Sequence, residues 1–143
     1  MVFQATNGRE SVLRLVDGED LILSLRAVPL DSAVIACGIG MVRDLRLGYW
    51  NGISYEETRI DEPAELVSMQ GTIAASADER VVHCHVAVAA RDGVVRGGHL
   101  LGATVANTAE ITLLRVPGIR LQRLPEKSGL LALFPSAEQS AAP

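Results

Sequence analysis

The stretch Val81-Val82-His83-Cys84-His85-Val86-Ala87-Val88-Ala89-Ala90, then Arg91-Asp92-Gly93, then Val94-Val95-Arg96-Gly97-Gly98-His99-Leu100-Leu101-Gly102, decides how this chain is read. Its first part is rich in β-branched and small apolar residues, its middle carries a turn signal, and its last part resumes an apolar run, so the segment predicts a β-hairpin. All three histidines of the chain lie inside it. Residues two apart in a strand share a face and lie roughly 6.5 to 7 Å apart. His83 and His85 therefore project together, while Cys84 points the other way. The return strand carries His99 back past Gly97 and Gly98, which permit close backbone approach or positive φ beside the pair. In the right register His99 completes a three-histidine set.

A neutral imidazole is a good ligand for a borderline metal, and an open zinc site commonly uses three protein ligands. Three roles for the cluster stay open at this point: ligation of zinc or another divalent metal, structural histidines hydrogen-bonded in the hairpin or at an interface, and acid–base use without metal. The nearest acidic candidate for proton transfer or outer-shell support is Glu110, in Thr108-Ala109-Glu110. As a lone strand glutamate it is more often a solvated or salt-bridged residue.

Outward from the hairpin the pattern stays sheet-like. Ser11 to Val16 alternates around Leu13 and Leu15 and leads into Asp17-Gly18-Glu19-Asp20, whose acidic residues suit the start of a helix from about Glu19 to Ala27. Leu21, Ile22, Leu23 and Leu25 predict that this helix is largely buried, with Pro29 ending it. Ala33 to Met41 is one continuous apolar run, Arg43 to Trp50 alternates, and Asn51-Gly52 predicts a turn into a strand over Ile53 to Ile60. Glu65 to Ala75 reads as a strand around Gly71. Ala103 to Leu114 continues in strand-like residues, and Arg115 to Leu124 closes the sheet around Pro117 and Gly118. The expected architecture is α+β: an antiparallel, strongly twisted sheet packed with one main helix. Residues 1–7 are expected as a flexible lead, 8–134 as one domain, and 135–143 as a disordered tail.

The composition narrows the function classes. The 143 residues are 48% hydrophobic, enough for one core, yet no apolar run approaches the roughly 18 to 20 residues of a membrane-spanning helix. Met1 to Glu10 lacks the pattern of a secretory signal, so cytoplasmic residence is the expectation. Cys37 and Cys84 both sit in apolar runs and are expected as small buried hydrophobes. A formal charge of −4 argues against a protein that grips nucleic acid by a broad basic field. Twelve of the thirteen basic residues are arginine, a bias toward planar contacts with carboxylates or phosphates. Arg43 and Arg96 are the candidates to hold an anionic substrate, and Arg43 with Arg46, or Arg115 with Arg120 and Arg123, form local basic patches.

Taken in order, Arg14-Leu15, Gly18-Glu19-Asp20-Leu21, Gly71-Thr72-Ile73, His83-Cys84-His85, Gly97-Gly98-His99-Leu100 with Gly102, and Thr108-Ala109-Glu110 resemble the PPC domain, the plant and prokaryote conserved domain. The resemblance covers roughly Gly8 to Pro125. It implies a protomer that assembles as a homotrimer, and an association with DNA, because plant members carry AT-hooks before this domain. No Arg-Gly-Arg-Pro segment occurs in these residues, so the minor-groove reader is not among them. The same fold group is similar to the acetolactate decarboxylases, which hold zinc through an HxH pair and a further histidine. That likeness points to His83, His85 and His99 as ligands without implying the decarboxylase reaction. Two functions follow as expectations: a homotrimeric, DNA-associated regulatory module with a three-histidine metal site, or a zinc-dependent enzyme or small-molecule binder acting on an anionic or carbonyl ligand.

Overall fold

Alternating burial along the longer segments favours a sheet, and the chain folds into nine strands with a single short helix among the described residues. The computed structural model describes residues 3–138. In chain order the elements are β1 (Phe3–Asn7), β2 (Glu10–Val16), α1 (Leu21–Ala27), β3 (Ser32–Trp50), β4 (Tyr55–Ile60), β5 (Ala64–Ser76), β6 (Glu79–Ala89), β7 (Val95–Arg115), β8 (Ile119–Pro125) and β9 (Leu131–Ala137). The main path through the sheet runs β1-β2-β7-β3-β5-β8-β9, with β4 on β3 and β6 joining β5 to β7. Every pairing is antiparallel except β5 with β8, which is parallel through Ala75 and Gln122. The sheet is therefore mixed, where a purely antiparallel one was expected. A parallel contact arises here because the chain crosses from the end of β7 to the far side of β5.

Each of β3, β5, β6 and β7 pairs with two of the other three, so these four close on themselves. Closure demands strong coiling, which long strands achieve through bulges. β3 and β7 slip register between Ile35 and Cys37, between Gly40 and Val42, and around Arg43 to Leu47. Gly40, at φ +137°, passes so close to β7 that a Cβ there would sit 2.3 Å from the Thr108 carbonyl oxygen. The first of these slips also corrects one expectation. Ala33 and Ile35 are buried, but the extra residue turns Cys37 outward, and only Cys84 is a buried cysteine.

The helix starts two residues later than its acidic lead suggests. Asp20 caps it, its carboxylate accepting from the Leu23 amide at 2.8 Å, and Val28 closes it. Leu21 and Leu25, one turn apart, go into the core, each contributing roughly 1.5 to 3 kcal/mol of burial. Leu23 lies on the opposite side and is exposed, contrary to the expectation of a largely buried helix. Leu13, Leu15, Ile35, Met69, Ile73, Ile111 and Leu113 complete the core beneath it.

Strands occur at both ends of the described residues. Phe3–Asn7 pairs residue by residue with β2, and Arg14 stacks over the Phe3 ring at 5.4 Å. β9 reaches Ala137, which pairs with Ile119, so residues 135–137 are strand; 139–143 lie outside the described residues. Both are edge strands held by backbone pairing, which leaves little apolar signal in their sequence. At Asn51-Gly52 the Asn51 side chain accepts from the Ile53 and Ser54 amides, at 3.0 and 2.9 Å, which delays β4 to Tyr55.

Candidate metal centre

β6 presents His83 and His85 on one face and sends Cys84, fully buried, into the core. Burial in apolar surroundings pushes the Cys84 thiol up to about 12 and removes it from metal chemistry. The turn at 90–94 returns the chain so that His99 on β7 lies directly opposite His85. It is closed by Ala90 and Val94, whose amide and carbonyl pair at 3.1 Å, and by Asp92 accepting from the Val94 amide. Directly opposed residues share a face, so all three imidazoles converge. Ring centroids lie 5.4 Å (His83 and His85), 4.8 Å (His83 and His99) and 5.5 Å (His85 and His99) apart. One ligand nitrogen from each lies within 4.8 Å of the others.

Three glycines allow this approach. A Cβ at Gly71 on β5 would stand 2.1 Å from the His83 carbonyl oxygen, and one at Gly97 would stand 2.6 Å from that of Val86. At Gly98 the spacing to the Gly48 carbonyl oxygen would be 3.2 Å. The backbone beside the cluster is therefore packed at glycine distance on both flanking strands.

The surroundings hold His83 and His99 neutral. Burial, with the positive charge of Arg123 and the neighbouring imidazoles, lowers His83 to about 4. Burial, then His85 and Arg123, lowers His99 as well. An unprotonated imidazole is the form that binds a metal. The Nδ1 atom of His99 is buried and has no hydrogen-bond partner. Buried polar atoms are nearly always satisfied, so a nitrogen in this state fits a ligand atom. Donor chemistry, convergence and the orphan nitrogen all fit a divalent ion, and zinc suits three imidazoles best.

Two neighbours escaped the sequence reading. Tyr55, at the start of β4, stacks on His99 with centroids 4.8 Å apart and planes 20° from parallel, and Trp50 meets Tyr55 edge-on. Gly48, opposite His99, leaves the space for Tyr55: a Cβ there would lie 2.7 Å from its ring. Arg123 had only been grouped with Arg115 and Arg120 as a basic patch. It is in fact buried, its Nη1 donating to the Leu131 carbonyl at 2.8 Å and its Nη2 to Thr72 Oγ1 at 3.1 Å.

The other candidates lie elsewhere. Glu110 is exposed, opposite Arg14 and Ile39, eleven residues along β7 from His99 and hence on the order of 30 Å away. Within one copy of the chain it is not part of this centre; closeness in sequence pattern did not become closeness in space. Arg43 is engaged by Asp17 at 2.7 Å. Arg96 is exposed and, an odd number of residues from His99 on the same strand, faces away from it.

Residues 2–117 match the profile of the Plants and Prokaryotes Conserved (PCC) domain, the family also written PPC. The chain is similar to a PPC protein from Pyrococcus horikoshii, at 29% identity, 94% coverage of both chains and a TM-score of 0.83. It is similar to a metal-containing protein from Archaeoglobus fulgidus, at 28% identity over 89% of this chain and 94% of that one, with a TM-score of 0.80. A candidate DNA-binding protein from Bacteroides thetaiotaomicron shares the fold at 21% identity, covering 94% and 97% of the two chains with a TM-score of 0.84. Among curated proteins, the bifunctional protein GlmU of Synechococcus sp. (strain JA-3-3Ab) is 30% identical over 137 residues, but the chain, 92% of which is aligned, spans only 21% of its length. No helix among the described residues is long and apolar enough to cross a membrane. With most of its length matched by one family profile and folded like that family's solved structures, the chain belongs to the PCC domain family.

Proposed function

We propose that this PCC-domain protein is a metal-binding module in which His83, His85 and His99 hold one divalent ion, zinc being the best fit. The observation that carries the reading is the convergence of three imidazole nitrogens within 4.8 Å, one ring keeping a buried, unpartnered nitrogen. The metal-containing description of the Archaeoglobus fulgidus protein supports it. When bound, zinc would supply Lewis acidity. The chain's own residues would hold it on a face walled by Tyr55, with His83 and His99 kept neutral by burial. Elemental analysis of the purified protein tests this directly: about one metal ion per chain is expected, lost in each single His→Ala variant. Wild-type protein that stays metal-free after zinc addition would overturn it.

At the level of biology, we read the protein as a cytoplasmic homotrimer that takes part in DNA-associated regulation. Exposed Tyr49, Ile53, Val94 and Val95 support self-assembly, since apolar side chains near strand ends are commonly covered by another copy. The DNA description of the Bacteroides thetaiotaomicron protein supports the second part, while the charge of −4 favours contact through a protein partner. Fluorescence anisotropy with AT-rich and GC-rich duplexes at two salt concentrations separates the cases. Tight, salt-sensitive binding by the protein alone would refute the indirect route.

A further inference from the structure

Arg123 is the one charged residue among the buried polar side chains of the described chain, only 7% exposed. A buried cation is costly unless an anion faces it. No carboxylate among the described residues lies in ion-pair range of it. Its two assigned hydrogen bonds go to neutral oxygens, and its Nε atom is buried with no partner. A guanidinium has five N–H donors, so most of this one's capacity is unused.

Its position follows from register. β8 runs beside β5, which brings Arg123 Nη2 onto the Thr72 hydroxyl. Thr72 is paired directly with His83, and directly opposed side chains share a face about 5 Å apart. The guanidinium thus closes one side of the histidine cluster, Tyr55 lines another, and exposed His85 marks the side open to solvent. The charge of Arg123 is felt at both His83 and His99.

We propose that Arg123 seats a small carboxylate against the three-histidine centre, entering from the His85 side. This rests on the reading of that centre as a metal site, and adds the class of ligand it takes. A carboxylate is the match because its two oxygens can take parallel N–H donors of the guanidinium fork, of which the buried Nε has no partner.

Calorimetric titration with acetate, pyruvate and inorganic phosphate tests the proposal on zinc-loaded and metal-free protein, with metal content measured on every sample. Saturable binding of acetate or pyruvate, weakened at least about tenfold in Arg123→Gln, is expected, and saturable binding of phosphate alone would overturn the carboxylate assignment. Arg123→Lys, which keeps the charge, should retain metal and part of the affinity. Zinc-loaded wild type that takes up no carboxylate would overturn the proposal whatever the variants do. So would a folded, zinc-loaded Arg123→Gln or Arg123→Lys protein that binds acetate and pyruvate as wild type does. A wild-type protein that binds no zinc would instead remove the metal reading, a failure told apart by the metal assay alone.

Discussion

The two charged regions of this molecule are built in opposite ways. On the outer surface of β3 and β4, Arg46 meets Glu57 at 2.8 Å, Arg59 meets the same carboxylate at 2.8 Å, and nearby Arg43 meets Asp17 at 2.7 Å. Every one of these groups has a partner and solvent around it. Inside the β5-β6-β7 corner, His99 Nδ1 and Arg123 Nε have neither. Paired surface charges need no further explanation, because exposed ion pairs contribute little and are common. Orphaned buried groups do need one, and the metal ion and carboxylate proposed above would answer the two atoms in turn. The contrast teaches that the place to look for function here is where polar atoms are hidden and unanswered, rather than where arginines are plentiful.

The contrast breaks most easily at the ligands. Replacing His83, His85 or His99 by Ala should weaken zinc affinity by more than about 100-fold in competition with a chromophoric chelator, while Arg46→Ala leaves it unchanged. Equal effects from the two regions would erase the distinction. A second test uses backbone spacing. Gly71→Ala forces a Cβ onto the His83 carbonyl and the Cys84 backbone, neither of which can yield cheaply. It should cost about 1 to 3 kcal/mol in urea unfolding and weaken the metal site with it. Gly102→Ala, with only a flexible Arg46 nitrogen at 3.9 Å, should stay within about 0.5 kcal/mol of wild type.

Acid sharpens the comparison further. His83 is held at about 4 in the folded protein against 6.5 in the unfolded chain, so below about 6.5 the unfolded state binds the extra proton. Stability of the metal-free protein is therefore intact above that pH and falls as pH drops toward 4, and His83→Gln should flatten the fall. A slope unchanged by the substitution would contradict the account. The smallest effect belongs to the surface. Arg46, then Arg59, draw the Glu57 carboxyl down to about 2, yet it is solvent-exposed, and Glu57→Gln should leave the urea midpoint unmoved.

The parts legible from sequence were those governed by local rules. Period-two alternation and the Arg91-Asp92-Gly93 turn put three histidines on one face, and β6 and β7 keep that arrangement. The parts that escaped depend on register slips and long-range crossings. Cys37, expected to be buried by its place in an apolar run, is turned outward by the bulge before it. Arg123 reaches the site only through the parallel Ala75 and Gln122 contact, which no local pattern encodes. Tyr55 arrives because the Asn51 side chain reshapes the preceding loop. The sequence offers Glu110 as its nearest acidic candidate, and the length of β7 carries it away. An arginine in an otherwise apolar-alternating strand, Leu121-Gln122-Arg123-Leu124, was the available hint that one charge faces inward.

X-ray absorption at the zinc edge on the reconstituted protein asks the central question most directly. The account predicts a first shell containing three imidazole nitrogens at roughly 2.0 to 2.1 Å, with the imidazole signature lost from His99→Ala. A shell of oxygen neighbours alone, unchanged by that substitution, would contradict it.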